Sequence, residues 1–167
     1  MKKHLSAVCV ALVTLWSGTC LAGAVATLES KSGSAVKGTV SFEETAGGVR
    51  LSAQVSGLTP GEHGFHIHDK GDCSAADATS AGGHFNPGAM PHGAPHAASH
   101  HGGDLLQLEA DGSGNASLVQ VLPGQTLGGA TGIIGRSVVV HGGKDDYQSQ
   151  PAGNSGPRIA CGTIVAN

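Results

Sequence analysis

From residue 24 onward, apolar and polar residues alternate in short runs: AVATLES, VKGTVSFEE, GVRLSAQVSGL and the stretch entering GFHIH. The runs are rich in Val, Leu, Thr and Ser and are separated by Ser-Gly, Ala-Gly-Gly and Thr-Pro-Gly. Residues two apart on a strand share a face, so this period predicts half-buried β-strands joined by turns. The same texture returns after residue 103. DLLQLEADGSGNASLVQVL predicts a hairpin whose turn starts at Asp111-Gly112, and RSVVVHGG and RIACGTIVA predict two further strands. No window carries a sustained helical period, and 28 glycines penalise helix throughout. The expected fold is all-β, about seven or eight short antiparallel strands closed as a sandwich or barrel. Two stretches fit no strand, residues 69–103 and 142–157, and loops that long in one domain are usually functional.

The N-terminus has a different pattern. A positive head, Met1-Lys2-Lys3-His4, precedes an apolar run over residues 5–16 and then the small residues of Cys20-Leu21-Ala22-Gly23-Ala24. This predicts a secretory signal peptide over residues 1–22, cut after Ala22 or after Ala24, leaving a domain over 23–167. The apolar run is too short to cross a hydrocarbon core, and no stop-transfer charges follow it. Ser17-Gly18-Thr19 is a poor lead-in for lipid attachment at Cys20.

Cleavage changes the composition of what remains. Cys9 and Cys20 leave, and Cys73 and Cys161 stay in an oxidising compartment, so one disulfide between them is expected. Loss of Lys2 and Lys3 takes the formal charge from −3 to −5, with seven Lys and Arg against twelve Asp and Glu. No basic block remains to suggest nucleic acid or an anionic membrane as a partner. The single Trp, Trp16, lies in the leader, so the core must be aliphatic with a few Phe.

Candidate chemistry is concentrated in residues 64–104, which hold seven of the ten histidines: His66, His68, His84, His92, His96, His100 and His101. Any one of these, taken alone, reads as a solvated or hydrogen-bonded side chain. Together they argue for metal. In FHIH, His66 and His68 lie on one face of a strand, roughly 7 Å apart at the backbone. His141 ends another apolar strand and adds a third imidazole. All-imidazole sets suit copper, zinc, iron or nickel, whereas the three imidazoles and one carboxylate of His84, His92, His101 and Asp104 suit tetrahedral zinc.

GFHIHDKGDC, GGHFNP, HGAP followed by HHGGDL, IIGRSVVVH with its following Asp pair, and GPRIACG closely resemble the copper/zinc superoxide dismutases in order and spacing. The resemblance covers essentially all of residues 24–167. It implies an eight-stranded antiparallel Greek-key β-barrel or sandwich with two long functional loops, holding one copper and one zinc ion per chain. Copper is implied at His66, His68, His84 and His141, and zinc at the other nitrogen of His84 with His92, His101 and Asp104. His84 is then a bridging imidazolate, a state two cations stabilise. Asp145 matches the aspartate that ties a copper ligand to a zinc ligand, and His63 matches a supporting, non-ligating position. Arg158 matches the arginine that docks a small anion beside copper. A Cys73–Cys161 disulfide would fasten the first loop to the strand carrying Arg158.

The activity so implied is dismutation of superoxide to dioxygen and hydrogen peroxide, by a homodimer or a monomer, with no membrane partner once the leader is gone. The second loop is short beside those of cytosolic eukaryotic members and resembles exported bacterial ones, which implies a periplasmic enzyme. A non-catalytic copper-binding or copper-delivery module on the same fold is the alternative. His96 and His100 match no ligand of the family and are expected to be solvated side chains or an auxiliary metal-capturing pair. The spacing to Asp104 favours His101 over His100 as the ligand.

Overall fold

A computed structural model describes residues 23–129 and 131–167; the expected signal peptide, residues 1–22, lies outside them. Ten strands follow in chain order: β1 Gly23–Ser30, β2 Lys37–Thr45, β3 Gly48–Ser56, β4 Gly61–His63, β5 Phe65–His68, β6 Leu108–Ala110, β7 Ala116–Pro123, β8 Ser137–His141, β9 Arg158–Thr163 and β10 Val165–Ala166. β4 and β5 are one strand interrupted at Gly64, and β10 continues β9 after Ile164, which gives the eight strands expected. The single helical turn among the described residues is Thr79–Ala81.

All pairings are antiparallel, and the curled main sheet runs β5-β8-β9-β1-β2-β3-β7, with β4 and β6 paired separately. Sequence-distant neighbours such as β5 and β8, β9 and β1, and β3 and β7 require the long connections of a Greek key. Alternation in the sequence becomes burial: Ala24, Ala26 and Leu28 on β1 and Val49, Leu51, Ala53 and Val55 on β3 point inward. Phe42, Phe65 and Phe85 are 0 to 1% exposed, the aromatic part of an otherwise aliphatic core. Gly48 is required where β3 meets the end of β7. It has φ 125°, and a Cβ there would strike the carbonyl oxygen of Leu122.

β8 shows why one strand lacks alternation. Every residue of SVVVH is buried, because Val138 and Val140 face the barrel core while Val139 packs outside it with Cys161, Ala78 and Ala81. The first long loop covers that outer face and is tied down there by the Cys73–Cys161 disulfide, whose Cα atoms are 5.7 Å apart.

One sequence expectation is corrected. The turn at Asp111 forms, with the Asp111 carboxylate accepting from the Ser113 and Asn115 amides. The strands flanking it do not pair as a hairpin, since β6 pairs with β4 and β7 with β3. Alternation reports which face a strand buries, and it is silent on which neighbour completes the ladder.

Candidate metal centre

Residues directly opposite in an antiparallel pair share a face. His66 lies opposite Val139, and Val139 opposite Cys161, so His66 and His68 project from the outer face of the barrel while Phe65 and Ile67 fill its interior. The bed for the site is therefore the barrel's outer wall, roofed by the two long loops. A bulge between Val140 and His141 places His141 opposite Arg158. His84 is brought in by the first loop, which runs along β5. Bridges join His68 to His84 and His66 to Asp104, and Phe85 plugs into the core below.

These elements assemble two groups that share His84: His66, His68, His84 and His141, then His84, His92, His101 and Asp104. Within each group the donor atoms lie within 4.8 Å of one another. All seven residues are 9% exposed or less. His96 and His100 enter neither group. His96 is exposed, and His100 donates from Nδ1 to the His101 carbonyl at 2.7 Å.

Hydrogen bonds set which nitrogen of each ring is available. His66 donates from Nε2 to Asp145 Oδ2 at 2.7 Å, His68 from Nδ1 to the Gly82 carbonyl at 3.0 Å, and His141 from Nδ1 to the Gly156 carbonyl at 3.2 Å. Each acceptor is an oxygen that cannot donate in return, so the opposite nitrogen of each ring carries a lone pair. Those nitrogens, His66 Nδ1, His68 Nε2 and His141 Nε2, together with His84 Nε2, are buried without a hydrogen-bond partner among the described residues. Four partnerless lone pairs converging on one point would be costly in a protein interior and are what a cation requires. Burial, reinforced by neighbouring imidazoles, lowers the pKa of His66 and His68 well below the usual imidazole value. Burial likewise takes His141 down to about 4, so these rings are unprotonated at neutral pH.

The second group holds His84, His92, His101 and Asp104. His92 donates from Nε2 to Asp145 Oδ1 at 3.0 Å, so a neutral His92 ring turns the lone pair of Nδ1 toward Asp104 Oδ1, 2.9 Å away. Two acceptors facing each other at that distance need a cation between them. His84 Nδ1 stands 2.9 Å from the same oxygen and 3.3 Å from His101 Nδ1, and His101 Nδ1 is 3.5 Å from Asp104 Oδ1. A tetrahedral zinc with ligand bonds of about 2.0 to 2.1 Å has ligand–ligand edges of about 3.3 Å, within the 2.9 to 3.5 Å spread of these four separations. Asp104 stays ionised to about pH 2: burial opposes this, but bonds from His84 and from the Gly93 and His101 amides outweigh it.

Asp145, 1% exposed, stands between the groups, with one carboxylate oxygen on His66 and the other on His92. His63 lies under the site, its ring nitrogens 2.8 Å from the His141 and Thr59 carbonyls. Arg158 donates from a terminal nitrogen to the Ala78 carbonyl at 2.8 Å and lines an open hollow with Ser32, Asp77, Thr79 and Gly156. Burial lowers its pKa and nearby Asp77 opposes that shift. It remains a cation at any physiological pH.

The profile of the copper/zinc superoxide dismutase (SODC) family matches residues 36–164. The chain belongs to the copper/zinc superoxide dismutase family. Among its relatives in this family, the extracellular superoxide dismutase [Cu-Zn] of Caenorhabditis elegans is 46% identical over 134 residues, 76% of this chain and 60% of the nematode protein's length. The superoxide dismutase [Cu-Zn] of Deinococcus radiodurans is 43% identical over 142 residues, 78% of each chain. The crystal structure of the clock protein EA4 superposes with a TM-score of 0.79 at 36% identity, covering 91% of this chain and 99% of that one.

Three contributors to this dismutase-family site have no local signature in the sequence. Gly153, at φ 65°, lies so close to Asp145 and His92 that a Cβ there would collide with both. Tyr147 donates its amide to Asp145 Oδ1 at 2.7 Å, and its hydroxyl takes the Gln107 amide at 3.0 Å. The Gln107 side chain in turn accepts the Asp145 amide at 2.8 Å. Only the glycine in a long loop was a signal available beforehand, and it is nonspecific among 28.

Proposed function

We propose that this protein dismutates superoxide to dioxygen and hydrogen peroxide, with copper at His66, His68, His84 and His141 and zinc at His84, His92, His101 and Asp104. The single observation that carries the reading is the convergence of four buried, partnerless imidazole nitrogens beside a second, carboxylate-containing group that shares one ring. When bound, copper supplies a reversible one-electron couple and zinc a fixed divalent charge.

The chain's own residues do the rest. His66, His68 and His141 present unprotonated nitrogens from a rigid wall, so little reorganisation accompanies electron transfer. His84 Nε2, facing the copper group, is where the shared ring takes up a proton and returns it toward the product peroxide. Its Nδ1 meanwhile stays turned toward the zinc group, beside Asp104 Oδ1 and His101 Nδ1. Asp145 fixes the orientation of His66 and His92 through one carboxylate. Arg158, tethered to Ala78 at one nitrogen, offers its remaining donors and permanent charge to a small anion arriving beside His141. A copper-delivery module would leave that anchored guanidinium without a role.

The disulfide, the extracellular relatives and the signal-like N-terminus support export to an oxidising compartment, and the short second loop, which resembles exported bacterial members, supports the periplasm as that compartment. The test is superoxide dismutation by the mature, metal-loaded protein. Activity that is lost on copper chelation and restored by copper supports the reading; a protein that binds both metals without dismutating superoxide contradicts it.

A further inference from the structure

The members of the zinc group differ in what holds their backbone. His84 is bridged to His68, and its neighbour Phe85 exchanges hydrogen bonds with Ile67 and Gly103. Asp104 is bridged to His66 on β5. His101 donates its amide to the Asp104 carboxylate at 2.8 Å, and Asp104 donates its own back to the His101 carbonyl at 3.2 Å. His92 sits midway along a connection with no strand between Phe85 and Asp104, and among the described residues neither its amide nor its carbonyl has a main-chain partner.

A side chain from the other loop, 58 residues away, fills both places. The His92 amide donates to Gln150 Oε1 at 2.8 Å, and Gln150 Nε2 donates to the His92 carbonyl at 2.9 Å. The second amide proton of Gln150 goes to the Gln148 carbonyl at 3.3 Å, so the group is fully used and its orientation is fixed. Only a primary amide supplies donor and acceptor side by side in this way, imitating the neighbouring strand that His92 lacks. With Asp145 on the ring and Gln150 on the main chain, the second loop holds both ends of His92.

We propose that Gln150 is a positioning residue for zinc: its amide fixes the main chain of His92 so that Nδ1 faces the metal. The proposal rests on the zinc assignment above. It makes zinc retention, and not copper retention, the property that depends on Gln150, because the copper group holds its strand residues without it.

The test compares the fully metallated wild-type protein with Gln150→Ala and Gln150→Glu. Zinc and copper release to a chromogenic chelator are followed separately, together with hydrogen exchange at the His92 amide. Glutamate keeps the length and the acceptor of glutamine but turns an oxygen on the His92 carbonyl, so a space-filling role predicts wild-type behaviour for it. The proposal predicts zinc release about 10-fold faster in both variants, the scale typical of lost ligand support. It further predicts faster His92 exchange and copper release within about twofold of wild type. Wild-type zinc release in either variant, or equal acceleration of zinc and copper, overturns it. If the wild-type protein itself takes up no zinc, the ligand assignment fails, a result distinct from failure of the Gln150 role.

Discussion

The two halves of the metal centre are built differently. In the group assigned to copper, His66 and His68 stand on β5 and His141 ends β8, three side chains on adjoining strands of one wall. In the group assigned to zinc, every member lies off the strands: bridges tie His84 and Asp104 to β5, whereas His92 is held by Asp145 and Gln150 reaching across from the second loop. The first half inherits its geometry from barrel hydrogen bonds and the core beneath Phe65 and Ile67. The second is a mutual arrangement of loops that depends on its ion and on a few polar contacts. On the proposed assignment the redox ion would sit in the strand-borne half and the ion of constant charge in the loop-borne one.

The contrast can be tested at its strong end first. His141→Ala removes a strand-borne ligand without touching the core, and dismutation should fall by more than about 100-fold while zinc content and the β-sheet circular dichroism are kept. Retained activity would mean that the copper set is wrong. Asp145→Ala cuts the ties to His66 and His92 together. Zinc affinity should fall about 10- to 100-fold, the range for lost support of metal-bound histidine, with copper affinity falling less because β5 still aims His66. Equal losses in competitive titrations would erase the distinction between the halves. Arg158→Ala should slow turnover about 10-fold and flatten its dependence on ionic strength, since a guiding charge acts over distances that salt screens. An unchanged rate would remove its docking role.

A separate effect is expected with pH in the metal-free protein. His66, His68 and His141 are held unprotonated by burial, with His141 at about 4 against 6.5 when free. The unfolded chain therefore binds protons before the folded one does, and stability should decline as pH drops from about 6.5 toward about 4. Denaturant titrations across that window check it; stability that is flat, or that rises with acid, would show that these rings are not held neutral.

Much of this was legible in the sequence, for physical reasons that differ by residue. The His66 and His68 pair could be placed on one face because a strand's period is two, and three imidazoles with one carboxylate suited zinc by chemistry, whereas the all-imidazole set stayed open to copper, zinc, iron or nickel until the family resemblance implied copper. Cys73 and Cys161 were left as a pair by counting once the leader was set aside. The partners of β6 and β7 could not be read, because strands on either side of a turn need not join each other. Nor could Gln150, whose contact with His92 spans 58 residues and uses the main chain, leaving no mark in composition or spacing. That the candidate ligands His66 and His68 stand outside the barrel followed only from register, His66 opposite Val139 and Val139 opposite Cys161.

Sharing of the His84 ring is the claim on which the rest depends, and crystallography of the fully metallated, oxidised protein at the copper and zinc absorption edges tests it directly. Two anomalous peaks are expected about 6 Å apart on opposite sides of that ring, each about 2.0 to 2.1 Å from one of its nitrogens. A single peak, or a ring turned away from either ion, would contradict it.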